Sequence, residues 1–470
     1  MIKSKESAHY ESALRKWFGS STDIQFVEIN LTCFNQITYP VLIIYCKDLC
    51  DSATVHQFII PLLKKTAEEC SLETTADIKQ HIPFYLDHID AKDLEDNAVS
   101  AVLTGNVLLY FKHLNKAFFF PLDKPPTRNT EEPNTEVSNR GPRDGFTEEV
   151  STNIALIRKR LRVKNLTVEN YRVGANNTKV SLIYVDNEIK PEVLNEIKTK
   201  LDQINVKMLI SSTQLEELLG KFSLFPLFTY TGRPDFTANA LMKGKFALLV
   251  EGSPTAIIAP VTLNFVLNSA EDAHMLNIFV VFNRLIRLSA MMISIFLPGF
   301  WITLLTFHQD QLPFTLLATL VTSRQGVPLP VPLEALVMLL LFEIFREAGM
   351  RLPSAFGQTL SVVGGLIIGQ AAISAGLSAP GIIVIIAISV LAAFTISNQS
   401  LLGIISIIRM VVLIISGFLG LFGFFICFLS LVMYLVNIHS FGTYYISPFS
   451  PAALKNMKKA FIRYPWGKKD

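Results

Sequence analysis

Four charged side chains recur at helical spacing immediately before a long apolar segment. They are Glu343, Arg346, Glu347 and Arg351, at positions i, i+3, i+4 and i+8 along one side of a helix. Charges beside a membrane segment are costly unless they are hydrated or paired. The spacing therefore suits either a solvated face next to the membrane or an ion-pair contact with a neighbouring subunit, and we predict the contact.

Arg409 is the one formal charge between Arg351 and Lys455. An arginine at a helix end can extend its guanidinium to the lipid head groups. Alternatively, Arg409 is a buried cation whose partner is Glu334 or Glu343. Both interpretations stay open at this point, and we count Arg409 among the candidate charges of the subunit contact.

The segment Ser361–Leu377 has two contrasting faces on a helix that turns by about 100° per residue. Small residues let helix backbones approach closely in a membrane. The predicted packing positions are Gly364, Gly365, Gly369, Ala372 and Gly376. The opposite face is free for lipid or for a lumen, but the amide of Gln370 is expensive to place in hydrocarbon. The residues of this face include Val363, Ile367, Gln370 and Ser374, and an aqueous environment suits Gln370 and Ser374 better than hydrocarbon does.

No group of residues has the pattern of a catalytic site. The patterns CxxC, HExxH, GxSxG and Walker A and the zinc-ligand spacings are absent from the sequence. The turn Glu251-Gly-Ser-Pro254 has no evident histidine partner, so hairpin chemistry explains it better than a nucleophilic serine does. We therefore predict a protein that is not an enzyme and that needs neither cofactor nor metal.

The composition indicates a membrane protein. Of the 470 residues 50% are hydrophobic and only 17% are charged, whereas soluble domains carry about a quarter charged residues. A net charge of +3 is too small to indicate a nucleic-acid partner. The five cysteines are odd in number, and the N-terminus has no apolar signal sequence. We therefore expect reduced thiols and a soluble half that stays in the cytosol.

The soluble half repeats one pattern at a constant offset of 139 residues. The buried strand Val41–Tyr45 matches Val180–Tyr184, and Val107–Phe111 matches Phe246–Val250. A register held over roughly 80 residues indicates two copies of one α/β unit. The stretch between the copies is proline-rich and polar, which is typical of a linker.

The predicted fold class is therefore an α/β soluble half with two repeated units, followed by an all-α polytopic membrane domain. The predicted boundaries are residues 1–122 for the first cytosolic unit, 123–145 for the linker, 146–275 for the second unit, 276–440 for the transmembrane helices and 441–470 for a basic cytosolic tail.

The membrane half contains several apolar segments. Ser289–Phe307 is a good spanning segment, preceded by a stretch with two arginines that suits an interfacial helix or a helix entering from the cytosol. Leu312–Phe345 is interrupted by the three prolines of SRQGVPLPVP, so it forms a re-entrant pair or two half-helices. Ala355–Leu377 and Pro380–Ser397 are further spans.

The last apolar segment, Leu401–His439, is long enough for a hairpin bent at Gly417, Gly420 or Gly423, or for one span with an in-plane helix. The basic tail is expected in the cytosol together with the soluble half. The number of crossings is then even, four to six, with part of the segments re-entrant.

Five stretches resemble the GerA family, the A subunits of bacterial spore germinant receptors. They are GPRDGFTEEVSTNIALIRKRL (141–161), RPDFTANALMKGKFALLVEGSP (233–254), SRQGVPLP (323–330), FREAGMRLPSAFGQTLSVVGGLIIGQAAISAG (345–376) and ISPFSP (446–451). Two positions depart from the family pattern: Glu251 stands where the family usually has Asp, and Gln325 where it has Glu.

The resemblance implies a multi-pass protein of the spore inner membrane, with its N-terminal domain and tail on the core side. It implies two partners, a transporter-like B subunit and a C-subunit lipoprotein, and a homo-oligomer, expected to be a pentamer, that forms a germinant-gated cation channel. In such a ring of subunits the predicted pore-lining residues are Val363, Ile367, Gln370 and Ser374. The alternatives are a secondary transporter of the nutrient, a structural adaptor for a transporter-like partner, and the related accessory protein of dipicolinate release.

Overall fold

Two five-stranded antiparallel sheets with the same strand order make up the N-terminal half of this computed structural model. The structure describes residues 12–18, 21–34, 36–70, 72–82, 87–89, 94–122, 136, 140–221, 223–351 and 369–447. The chain divides into an α/β unit, Met1–Lys221 with Phe228–Pro260, and a helical unit, Phe222–Leu227 with Val261–Asp470. Both sheets belong to the α/β unit. Residues 261–275, predicted to close the second α/β copy, fall in the helical unit.

The first sheet has the order β1-β2-β4-β5-β3 and the second the order β6-β7-β9-β10-β8. The strands of the first are β1 (Ile24–Thr32), β2 (Thr38–Cys46), β3 (Asp87–Ile89), β4 (Val107–Phe111) and β5 (Lys116–Phe120). Those of the second are β6 (Leu166–Val173), β7 (Thr178–Val185), β8 (Thr229–Thr231), β9 (Phe246–Val250) and β10 (Ala256–Ala259).

The register of the central strands repeats at the predicted offset. Val41 of β2 lies opposite Phe111 of β4, and Val180 of β7 lies opposite Val250 of β9. Both members of the second pair are 139 positions after their counterparts. The predicted strands are therefore equivalent, and the duplication is confirmed at the level of strand order and register.

Helices cover both faces of the first sheet. Besides short helical stretches at residues 12–17 and 52–59, the helices of the α/β unit are α1 (Ile60–Glu69), α2 (Thr75–His81), α3 (Leu94–Leu103), α4 (Val150–Arg160), α5 (Pro191–Asp202), α6 (Ser212–Leu219) and α7 (Pro234–Leu241). Alternate residues of β2 enter different cores: Val41 and Ile43 pack with Leu63 of α1, whereas Leu42 packs with Val102 of α3. A strand buried on both faces is apolar at every position, which explains the unbroken run Val-Leu-Ile-Ile.

A buried ion pair joins the two copies within the α/β unit. Asp23, beside the start of β1, is fully buried, and Arg158 of α4 is 1% exposed. The Arg158 Nε atom donates to Asp23 Oδ2 at 2.8 Å, and Nη2 donates to Oδ1 at 3.0 Å. Ser21 donates its hydroxyl to Asp23 Oδ1 at 2.5 Å. Burial raises the pKa of Asp23, but the charge and hydrogen bonds of Arg158 and the Ser21 bond lower it by more, so the net pKa is below its ordinary value.

The predicted linker, 123–145, is described only at Glu136 and from Arg140 onward. The Glu136 carboxylate accepts hydrogen bonds from Thr231 Oγ1 at 2.6 Å and from the Gly232 amide at 3.1 Å. This point of the predicted linker is therefore attached to β8.

The helical unit is built from helices of very different lengths. They are α8 (Leu263–Val266), α9 (Asn277–Phe307), α10 (Phe314–Ser323), α11 (Val331–Arg351), α12 (residues 369–374), α13 (Pro380–Ala393) and α14 (Gln399–Asn437). Within the described residues, α9 and α14 are long and apolar enough to cross a membrane. A two-stranded hairpin, β11 (His439–Ser440) and β12 (Thr443–Tyr444), follows α14.

The helix α9 starts 12 residues before the predicted span and is continuous through it. Its first turns carry Arg287, which donates from Nη1 and Nη2 to the Asp272 carboxylate at 2.8 and 2.7 Å. Arg287 and Asp272 are both buried. Because the helix is continuous from Asn277 to Phe307, Arg284 and Arg287 lie on a helix that leads into the predicted span. This is one of the two predicted possibilities.

The helix α14 is a hairpin of two arms. Gly420 has φ +61° and ψ −147°, which is not helical, and it separates residues 399–419 from 421–437. Contacts with α9 show that the chain reverses direction. The first arm runs parallel to α9, with Ser294 near Arg409 and Thr303 near Ser416. The second arm runs antiparallel to α9, with Phe296 near Phe428 and Phe300 near Phe424. The predicted hairpin is confirmed, and its bend is at Gly420.

The predicted break in the segment 312–345 is also present. The helices α10 and α11 are separated by residues 324–330, which contain Gly326 at φ +92° and Pro328 and Pro330. Proline removes an amide donor and disfavours helix at the preceding residue. The segment therefore forms two separate helices.

Candidate functional site

Arg409 lies in the middle of the first arm of α14 and is 1% exposed. It is ten positions from each end of that arm, a distance of about 15 Å along a helix. A guanidinium at this depth and burial does not extend to a helix end. The structure therefore excludes the interfacial interpretation and selects the buried cation.

Glu343 is the partner of Arg409. The Arg409 Nη2 atom donates to Glu343 Oε1 at 2.5 Å, and Nη1 donates to the hydroxyl of Ser389 at 3.1 Å. Longer contacts of 3.5 and 3.3 Å reach the hydroxyls of Ser294 and Ser406. Four helices, α9, α11, α13 and α14, therefore meet at one guanidinium.

Arg346 completes this cluster, which we call the Arg409 network (Ser294, Glu343, Arg346, Ser389, Ser406 and Arg409). Arg346 pairs with Glu343 Oε2 at 2.6 Å and donates to the hydroxyl of Ser406 at 2.7 Å. One carboxylate therefore lies between two guanidinium groups. Such paired charges can hold apolar helices in a fixed arrangement.

The predicted subunit-contact charges divide into two groups. Glu343, Arg346 and Arg409 are paired within their own chain. Glu347 is exposed on α11, and Arg351 is the last residue of that helix, with a side chain outside the described residues. A contact of this helix face with another subunit stays a prediction.

The predicted pore and packing residues are described from residue 369 onward; Val363, Gly364, Gly365 and Ile367 lie outside the described residues. On α12, Ala372 is 5% exposed, whereas Gln370 and Ser374 are exposed. An added Cβ atom at Gly376, which has φ +67°, would lie 3.1 Å from the carbonyl oxygen of Gly326. Gly369 has no atom within 4 Å of such a Cβ atom. Close packing within the chain is therefore seen at Ala372 and Gly376.

The serines of the Arg409 network were not predicted from the sequence. Ser294, Ser389 and Ser406 are buried and come from three different helices. Ser389 also donates to the Ser294 carbonyl oxygen at 2.8 Å. The available signal was a polar hydroxyl in an otherwise apolar helix, because such residues hydrogen-bond across helices in membranes.

In the α/β unit, the carboxylate of Glu251 has a structural role. It accepts a hydrogen bond from the amide of Val150, the first residue of α4, at 3.3 Å. The neighbouring Ser253 hydroxyl contacts those of Ser212 and Thr255 at 3.2 and 3.0 Å. Within the described residues, no group of three His, Cys, Asp or Glu side chains is placed to hold a metal ion.

Comparison with known proteins identifies the family. The profile of the Bacillus/Clostridium GerA spore germination protein matches residues 12–470. Spore germination protein XA of Bacillus anthracis is 43% identical over 459 residues, which cover 97% of this chain and 93% of that protein. Spore germination protein KA of Bacillus subtilis is 33% identical, over 96% of this chain and 83% of that protein.

Among solved structures, the N-terminal domain of the A subunit of the Bacillus megaterium spore germinant receptor GerK3 is 23% identical. The match covers 53% of this chain and 92% of that one, with a TM-score of 0.39. Because the family profile matches nearly the whole chain, this protein belongs to the GerA family of spore germination proteins.

Proposed function

We propose that this protein is the membrane subunit of a nutrient germinant receptor and that it oligomerises, as a pentamer, into a germinant-gated cation channel. It acts in the spore inner membrane with a transporter-like B subunit and a C-subunit lipoprotein. Its α/β unit and its C-terminal tail lie on the core side. Support comes from the family profile and from the germination proteins that it resembles along nearly its whole length.

The observation that carries the channel proposal is the division of α12 into two faces. Ala372 is buried in the helical unit, while Gln370 and Ser374 are exposed. These two residues lie one turn apart, about 6 Å along the helix. An amide and a hydroxyl facing hydrocarbon lose hydrogen bonds to water. A ring of subunits removes this cost, because the same face then lines an aqueous path.

The helix arrangement supports a multi-pass topology. The first arm of α14 runs in the same direction as α9 and the second arm runs in the opposite direction. The helices α11 and α13 meet α9 and the first arm at the Arg409 network. Charges inside apolar helices are found paired and facing other helices. We infer four to six crossings, with α10 and the break 324–330 as the re-entrant part.

The decisive experiment is cysteine accessibility in the full-length chain in membranes. The variants Val363→Cys, Ile367→Cys, Gln370→Cys and Ser374→Cys should react with aqueous thiol reagents. The matched variants Gly365→Cys and Ala372→Cys should stay protected. The opposite pattern would show that this face points away from the conduction path.

A second measurement separates a channel from a transporter or an adaptor. The purified protein should form a closed ring that conducts cations in planar bilayers. Val363→Ala should widen the constriction, so that spores leak ions or germinate without nutrient. A monomer that does not conduct would contradict the proposal.

A further inference from the structure

Glu334, in the first turn of α11, is a fully buried carboxylate that the Arg409 network does not use. Burying a carboxylate is costly unless its charge is paired and its oxygens accept hydrogen bonds. The partners of Glu334 therefore indicate which parts of the helical unit are held together. They come from two other segments of the chain.

One carboxylate oxygen binds the turn that follows α12. Glu334 Oε1 accepts from the hydroxyl of Ser378 at 2.9 Å and from the amide of Ala379 at 2.5 Å. Ala379 is the N-cap of α13, where an anion also interacts favourably with the exposed amides of the helix start. The carboxylate thereby connects the start of α11 with the turn between α12 and α13.

The other oxygen faces the break between α10 and α11. Glu334 Oε2 lies 3.3 Å from Arg324 Nη2, which also donates to the Leu329 carbonyl oxygen at 3.1 Å. Arg324 therefore spans the break and neutralises the buried carboxylate. We call Arg324, Gly326, Glu334, Gly376, Ser378 and Ala379 the Glu334 cluster.

Backbone packing independently joins the same segments. Gly376 has φ +67°, and a Cβ atom there would lie 3.1 Å from the Gly326 carbonyl oxygen. Gly376 is two residues after Ser374, which is on the exposed face of α12. Side-chain charge and backbone contact therefore both hold the end of α12 against the break.

We propose that Glu334 is a positioning residue that fixes the rotation of α12, so that Gln370 and Ser374 face the conduction path and Ala372 faces the protein. This inference rests on the proposed function. It extends that function by assigning the orientation of the pore-lining face to a buried carboxylate outside the path. Loosening the cluster frees α12 to rotate, which exposes Ala372.

The test uses the full-length chain in membranes with Ala372→Cys or Ser374→Cys as reporters. In the parent chain Cys at 374 reacts with an aqueous thiol reagent and Cys at 372 is protected. Glu334→Ala should raise the labelling rate at 372 about tenfold or more, the effect of losing a hydrogen bond to a charged group. The native Cys427, 9% exposed on the second arm of α14, should react no faster, because a general loosening would affect it as well.

Two further variants separate positioning from simple destabilisation. Gly376→Ala disturbs the same contact without removing a charge and should also expose position 372. Gly403→Ala is the matched control, since a Cβ atom there meets nothing within 4 Å. The double variant Arg324→Gln with Glu334→Gln removes both charges together and should restore more protection at 372 than Glu334→Gln alone.

Continued protection of position 372 in both Glu334→Ala and Gly376→Ala would overturn the inference. If Glu334→Ala does not accumulate in the membrane, the labelling of position 372 is measured in Glu334→Gln and Gly376→Ala, and protection in both overturns the inference. A parent chain that leaves position 374 unlabelled and conducts no ions contradicts the proposed function. If the parent chain is labelled at position 374 and conducts ions, but these variants show the same labelling pattern as the parent, only the role of Glu334 is contradicted.

Discussion

The substitution Asp23→Asn should open the interface between the two α/β copies. It removes the carboxylate charge that is hydrogen-bonded to the buried guanidinium of Arg158, and breaking a buried ion pair costs about 3–5 kcal/mol. The pair is 0% and 1% exposed at its two ends, so solvent screens it little. Because tenfold in an equilibrium corresponds to about 1.4 kcal/mol, the open population should rise by roughly two to four powers of ten.

Cys46 is a natural reporter for this opening. It is fully buried, and its Sγ atom lies 3.6 Å from Asp23 Oδ2. The assay is the labelling rate of the peptide that contains Cys46, measured by mass spectrometry on the full-length chain and normalised to the denatured chain. Burial and the Asp23 charge raise the pKa of the Cys46 thiol in the folded chain, so the closed state reacts slowly and labelling reports the open state.

The matched control is Glu196→Gln, which breaks the partly exposed pair of Glu196 with Lys200 at 3.0 Å. Exposed pairs contribute about 0.2–1 kcal/mol, so the control should change Cys46 labelling less than about fivefold. Asp23→Asn with Arg158→Met should recover part of the loss, because no unpaired charge remains. Labelling of Asp23→Asn no faster than that of the control would refute the reasoning.

Three further predictions concern pH, the Arg409 network and the α14 hairpin. Burial, followed by the charge of Asp23, raises the pKa of Asp48 from 3.8 to about 6. The folded chain therefore keeps this proton to higher pH than the unfolded chain does. The free energy of unfolding should fall as the pH rises from about 4 to about 6, and Asp48→Asn should flatten that slope in urea titrations. Glu343→Gln removes the carboxylate that pairs with both Arg346 and Arg409, whereas Arg409→Gln leaves the pair of Glu343 with Arg346. Glu343→Gln should therefore lower the thermal midpoint of the membrane-extracted chain more than Arg409→Gln does, and the reverse order would contradict the network. Gly420→Ala places a side chain at φ +61° and ψ −147° and should cost about 1–3 kcal/mol in the same assay, whereas Gly403→Ala, with open space around it, should not lower the midpoint.

Local patterns predicted what depends on local chain geometry. Apolar runs at an offset of 139 identified β2 with β7 and β4 with β9, because strand and turn preferences are encoded within a few residues. The prolines of 323–332 identified the break before α11. Glycine marked the bend of the last hairpin, and the structure chose Gly420 among three candidates because only there is the backbone non-helical.

The sequence by itself determined the central strands of both sheets, the repeat and the presence of one charge in an apolar helix. It did not determine which carboxylate pairs with Arg409. Helical periodicity gives the face on which a residue lies, but the relative height of two helices depends on the packing of all their side chains. Packing brings Glu343 level with Arg409, and it brings Glu334 to Arg324 and Ser378 instead. The Asp23–Arg158 pair joins residues 135 positions apart in two copies of one fold. Such a pair leaves no periodic trace in the sequence, because only the closed interface brings its partners together.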